Sequence, residues 1–333
     1  MWSGFLNEPL FTFCLVAAVL GAVSAAAARF AMNPDGISYL DIADSIIRHD
    51  WRNVVNGHWS PLYPLLLAVC LEILNPPPAW ESTVVHLLNY GIYLATLAVF
   101  TRFLKRVTDY QIGPEAAYNT GLLPRRTAWY AFAYSVFVLA TLHMISLGLV
   151  TPDLCVALVL VSCADLVLSV QQKSNALRYR VLLGVALGLG YLCKAAMFPM
   201  ALVLLALLPV KLGRKPYCIP MHIVTILVFA AIIGPWILTL SKAQGHLTFS
   251  ESSRLAYIWF ITGDAGLHWS SSLPSGLLHP PKILFDRPVV LGFDEPIPGT
   301  YPLWRDPAYW LSGIEVKSNL NKNITVFLRQ FRI

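Results

Sequence analysis

PLYPLLLAVCLEIL, Pro61–Leu74, is the stretch whose reading decides how this chain folds. It is apolar, yet it holds two prolines and Glu72 and runs straight into Asn75-Pro-Pro-Pro78. Its length of roughly fourteen residues falls short of the ~20 that a helix needs to cross a bilayer. Whether it crosses sets the side of every later loop. The next apolar run, Val84–Leu104, leads into Arg102, Lys105 and Arg106, then Arg125 and Arg126. Lys and Arg collect in the cytoplasmic loops of membrane proteins. If Pro61–Leu74 spans, this basic loop lies outside; if it does not, the loop is cytoplasmic. The charge rule therefore makes Pro61–Leu74 a re-entrant or interfacial segment.

Composition fixes the broad class. Of 333 residues, 56% are hydrophobic and 13% charged, with a mean hydropathy of +0.60. Soluble domains carry roughly 25% charged residues. The chain is thus expected to be an all-α polytopic membrane protein, since its apolar runs are far longer than barrel strands. The net charge of +6 comes mostly from short basic links between runs and carries no nucleic-acid signal. Of the six cysteines, Cys14, Cys70, Cys155 and Cys163 lie inside apolar runs and Cys193 ends one. With no CxxC pair, neither a zinc site nor a disulfide framework is indicated.

The other runs alternate once Pro61–Leu74 is set aside. Leu10–Ala28 is the first span; a cleaved signal peptide is its rival, although the residues before it include no Lys or Arg. Ala128–Val150, Leu154–Val170, Val181–Cys193, Ala195–Val210 and Ile219–Leu240 follow, with basic links at 171–180 and 211–215. Lys194 breaks the pair Val181–Val210; read as one span, it would put Lys211–Lys215 outside, against the charge rule. The expectation is a seven-helix membrane module over residues 1–240 with the N-terminus inside and an external loop, 32–82, holding interfacial helices. Residues 241–333 form an external loop or cap, with further membrane helices expected beyond it.

The first external loop contains the longest polar interval before residue 240, Asn33–Pro64. Asn33-Pro34 reads as a helix start, with an Asn cap and Pro at the first helical position. Over Gly36–Arg48, Ile37, Leu40, Ala43 and Ile46/Ile47 recur at helical spacing between Asp41, Asp44 and Arg48, the pattern of a helix lying in the interface.

Basic residues alone set this topology, yet they place Asp35, Asp153 and Lys194 on one external face. Asp35 reads either as a general base or as a first-turn acid that favours the helix dipole. Asp153, after Thr151-Pro152, has the same two readings. Lys194 either holds a phosphate or snorkels to the interface. His58, with Trp59 and Tyr63, binds a headgroup or belongs to the aromatic belt. His86 and Asn89 read as interhelical hydrogen-bond partners, and Gly184/Gly188 as close helix packing. Asp165, inside a run near its cytoplasmic end, snorkels or pairs there. No P-loop, GxSxG, HExxH or dinucleotide fingerprint occurs, which leaves ATP-driven, serine-hydrolase and zinc-protease chemistry without support.

Four segments in order, Pro34-Asp-Gly-Ile-Ser-Tyr39, Gly57-His-Trp-Ser-Pro-Leu-Tyr-Pro64, Thr151-Pro-Asp153 and Gly188-Leu-Gly-Tyr-Leu-Cys-Lys194, carry a resemblance. Over roughly residues 10–240 the chain resembles the glycosyltransferase C (GT-C) superfamily, in particular the bacterial relatives of protein O-mannosyltransferases and of the aminoarabinose transferase. The resemblance implies a GT-C-like module in a bacterial cell membrane, an external active site and a polyprenyl-phosphate-linked sugar donor. Inverting transfer would then run to a hydroxyl or amine of a lipid, glycan or protein acceptor. It implies catalytic roles for Asp35 and Asp153, the family's first- and second-loop acids. Tyr39, His58, Tyr63 and Lys194 become substrate-binding candidates, and either Lys194 or a divalent metal would offset the departing lipid phosphate. Gly36 stands where protein mannosyltransferases often have Glu, and Ser60 replaces a proline of the HPPL segment; both leave the acceptor open. The alternative is a non-enzymatic multi-pass protein, such as a permease or flippase component. That class predicts internal repeats and polar residues along a pathway within the spans. No repeat is seen.

Overall fold

A computed structural model of the chain describes residues 9–112, 123–172, 177–212, 218–257, 282–292 and 320–330. It falls into two compact units, one of residues 1–54 and 60–236, the other of 55–59 and 237–333.

The first unit is helical. It runs α1 (Pro9–Ala27), α2 (Pro34–Ile47), α3 (Trp51–Val54), α4 (Leu62–Leu74), α5 (Pro78–Ile112) and α6 (Leu123–Val138). A π-helical turn, Leu139–Met144, extends α6, and α7 (Asp153–Gln172), α8 (Leu177–Cys193) and α9 (Met197–Leu212) follow. The helix α10 (Cys218–Gln244) begins in this unit and ends in the other.

Among the described residues, five helices are long and apolar enough to cross a membrane: Pro9–Ala27, Pro78–Tyr110, Arg126–Met144, Asp153–Val170 and His222–Gln244. They turn aliphatic side chains outward, as Val16, Val19 and Val23 do on α1 and Ile223 and Leu227 on α10. A helix buries its own backbone polar groups, so such a surface suits hydrocarbon. The protein is therefore a multi-pass membrane protein, and its first unit is all-α among the described residues. The other two expected spans are α8 and α9, of 17 and 16 residues, and they are shorter than the ~20 of a typical crossing. They are separate helices that break at Lys194, as the sequence suggests.

Pro61–Leu74 becomes the 13-residue α4, ended by Asn75 in the left-handed conformation. α2 runs close to the expected bounds, and the face it packs on the protein is mostly not the stripe expected at the interface. It buries Ser38, Tyr39, Ile42, Ala43 and Ser45, while Ile37, Leu40 and Ile46 are only half-buried. Small residues allow a close approach to α4, where the rings of Tyr39 and Tyr63 meet edge to face at 5.1 Å. The apolar stripe read from the spacing thus lies mostly at the helix flank.

Asp165 is buried on α7 and paired with Arg102 (2.5 Å) and Arg106 (3.4 Å) of α5, so it pairs rather than snorkels. A carboxylate buried among helices requires such partners. Gly184 and Gly188 let α8 press on α10: a Cβ on either would come within 2.8 Å of Val228 or Ile232 atoms.

In the second unit the segment 55–59 is fastened to the chain after α10. Glu251 N donates to Gly57 O (2.8 Å), Ser250 Oγ to the same oxygen (3.1 Å), and Ser252 Oγ to His58 O (3.0 Å). This unit also contains α11 (Ser252–Tyr257), an antiparallel hairpin of β1 (Lys282–Asp286) and β2 (Val289–Gly292), and α12 (Leu320–Gln330). Most of the expected cap, residues 258–281 and 293–319, lies outside the described residues, as do residues 213–215 of the basic link at 211–215.

Candidate functional site

The site is built where α2, α7 and the α8–α9 break meet. The π-helical turn after α6 passes into Ser146, whose φ of 61° reverses the chain into the segment that reaches Asp153. Two asparagines hold that segment. Asn33 Oδ1 accepts from Val150 N (2.8 Å), and Asn89 Nδ2 donates to Leu149 O (3.1 Å). Asn89 Oδ1 accepts in turn from the buried hydroxyl of Tyr63 (2.8 Å). His86 Nε2 contacts Ala31 O at 2.9 Å, tying the loop between α1 and α2 to α5. Asn89 thus makes the interhelical bond expected of it, with Tyr63 of α4, whereas His86 bonds the loop that follows α1.

Asn33 corrects the sequence reading. Proline does open α2, but the Asn33 side chain makes no capping bond to that helix. It is used on Val150, and so joins the start of α2 to the approach to α7. Gly36 completes the junction, since a Cβ there would meet Val150 Cβ and Met32 Sδ at 2.8 Å. Only a residue without a side chain permits this approach.

Asp153 opens α7. Its Oδ1 accepts from Lys194 Nζ at 2.6 Å, and its Oδ2 from Thr151 Oγ1 at 3.1 Å. Lys194, expected as an ammonium among apolar residues with a phosphate to balance it, already has a carboxylate partner. Asp35 stands close enough to both for each charge to act on it. Partial burial pushes its carboxyl pKa up; Lys194 opposes this shift and Asp153 adds to it. Tyr39, one turn along α2, has its phenol pushed well above the ordinary value by burial, and further by Asp153 and Asp35. The structure thus brings together Asp35, Asp153 and Lys194, with Tyr39 and Tyr63 behind them. His58 belongs to the second unit, where its ring meets Trp59 edge to face at 4.3 Å.

Sequence reasoning assigned no role to Asn33 beyond capping, or to Cys155 and Cys193 beyond filling space. Those two thiols are buried and hydrogen-bonded to each other, two residues after Asp153 and one before Lys194. Their offsets from the polar pair were the available signal. For a divalent cation, no group of three His, Cys, Asp or Glu side chains gathers among the described residues. Asp35 and Asp153 are the carboxylates on hand.

Fold and site together define a multi-pass membrane protein with two acids and a lysine gathered at one end of its first unit. Comparison with family models, curated proteins and solved structures found no match.

Proposed function

We propose that this chain is an integral-membrane glycosyltransferase that takes a sugar from a polyprenyl-phosphate donor and passes it to an acceptor at the external membrane face. One observation carries the reading: Asp35 with a raised pKa beside the Asp153–Lys194 pair. A general base works best when its pKa lies near the working pH, and a carboxylate raised by desolvation is a better proton acceptor than an ordinary one. Asp35 takes the proton of the attacking hydroxyl or amine. Lys194 faces the phosphate as charge builds on the leaving group, and Asp153 holds the lysine in place. The resemblance to the GT-C superfamily, with its seven-helix module and bacterial cell-membrane location, supports the same roles.

An apolar groove supports the lipid part of the reading. It is lined by Val167 of α7 and by Pro199, Met200, Val203 and Leu207 of α9, with a volume of about 500 Å³. It begins five residues beyond Lys194, so a phosphate at the lysine would leave its hydrocarbon chain in reach of α9.

The test is turnover. The purified chain in lipid nanodiscs, offered a panel of polyprenyl-phosphate pentoses and hexoses with a nucleophilic acceptor, should release polyprenyl phosphate, and Asp35→Asn should slow the release by about 10²–10⁴-fold. Equal release from the Asp35→Asn variant would remove the assigned base.

A further inference from the structure

Helix α12 is amphipathic, and its apolar side is bare. Leu320, Ile324 and Leu328 recur every fourth residue and are 71%, 49% and 57% exposed. Residues spaced by four lie along one helix face, and Lys322, two positions on from Leu320, falls on the far side. On another side, Asn323 Oδ1 accepts a 2.8 Å hydrogen bond from Tyr257 of α11. The helix thus docks through a polar residue and turns its aliphatic stripe away from that contact.

We propose that α12 is a membrane-surface helix whose Leu320–Ile324–Leu328 stripe is buried in the bilayer interface. The occupant follows from where the helix is tied. Ser241, near the end of the α10 span, exchanges two hydrogen bonds with Thr248 through its hydroxyl (3.0 and 3.1 Å). From Thr248 to Tyr257 runs no more than about 20 Å of chain, four extended steps and one short helix. Tyr257 in turn holds α12. The stripe is therefore joined, through that short run of chain, to the end of a helix long and apolar enough to cross a bilayer. Aliphatic side chains on one face and a lysine on the other are what an interfacial helix requires. This inference is independent of the proposed enzymatic activity.

The test uses the unaltered chain in nanodiscs of phosphatidylethanolamine and phosphatidylglycerol, photolabelled with a diazirine carried on a lipid acyl chain and mapped by mass spectrometry. Adducts should appear at Leu320, Ile324 and Leu328 and be missing from Lys322, with α10 as the positive control. In the variant Leu320→Ser/Ile324→Ser/Leu328→Ser the adducts on 320–330 should be lost while those on α10 persist. A wild-type helix without adducts while α10 labels normally would overturn the proposal. So would cross-links between two copies through Ile324, which would assign the stripe to a second chain.

Discussion

The ammonium of Lys194 lies 2.6 Å from a carboxylate oxygen of Asp153, joining residues 41 positions apart in the chain. The two side chains keep 49% and 34% of their surface exposed. An ion pair so open to solvent contributes about 0–1 kcal/mol to stability. Lys194→Gln should accordingly change thermal unfolding in detergent very little. Turnover of a phosphate-linked donor should fall roughly 10- to 100-fold, the worth of one charge-assisted hydrogen bond at ~1.5–3 kcal/mol. A large loss of stability with unchanged turnover would make the lysine purely structural.

Asp35 gives a prediction in pH. It accepts a proton only when ionised, so transfer should rise with pH through a midpoint above the ordinary aspartate value, since its pKa is raised. Lys194 lowers that pKa and Asp153 raises it. The midpoint should therefore move up in Lys194→Gln and down in Asp153→Asn. Removing the base itself, with Asp35→Asn, should cost about 10²–10⁴-fold. Midpoints that stay fixed in both neighbouring variants would show that another group sets the profile.

Gly36 tests the junction between α2 and the approach to α7. An added Cβ collides with Val150 Cβ at 2.8 Å, a backbone-near atom that cannot swing aside as the Met32 thioether can. Gly36→Ala should destabilise the protein by about 1–3 kcal/mol. Gly36→Glu, with its longer side chain, should be no milder. A thermal midpoint equal to wild type for either variant would mean that the junction is loose.

The topology can be read from single cysteines in a chain lacking the native ones. Trp51 and Tyr110 are both exposed. Trp51→Cys should react with an impermeant maleimide on intact cells, and Tyr110→Cys only after the membrane is opened. Reaction of Tyr110→Cys from outside would contradict the reading of α4 as a segment that does not cross.

Much of this architecture could be read in the sequence because apolar length and basic loops act locally. The bounds of α2, the short α4 and the break at Lys194 all follow from prolines, run lengths and a single charge. The face that α2 buries did not follow. The spacing marks Ile37 and Leu40 for the interface and names no packing face; the structure buries Ser38, Tyr39, Ile42 and Ser45, a set with no helical apolar period. Two of the expected spans have structures shorter than a typical crossing. At the site, the residue types were visible but their pairing was not. Asn33 looks locally like a cap and is used on Val150, 117 residues away. Lys194 looks isolated in its own run and meets Asp153 only in three dimensions. A long-range partner leaves no local mark.

The most direct measurement compares two lipids that differ only in the head. Polyprenyl phosphate and the matching neutral prenyl alcohol are titrated against the wild-type chain and Lys194→Gln in nanodiscs, with binding followed by native mass spectrometry. The account predicts that wild type binds the phosphate at least roughly tenfold more tightly, one charge-assisted hydrogen bond's worth. That preference should vanish in Lys194→Gln while affinity for the alcohol is kept. Equal affinity of the wild-type chain for the two lipids would contradict a phosphate site at Lys194, and with it the donor that the proposed transfer requires.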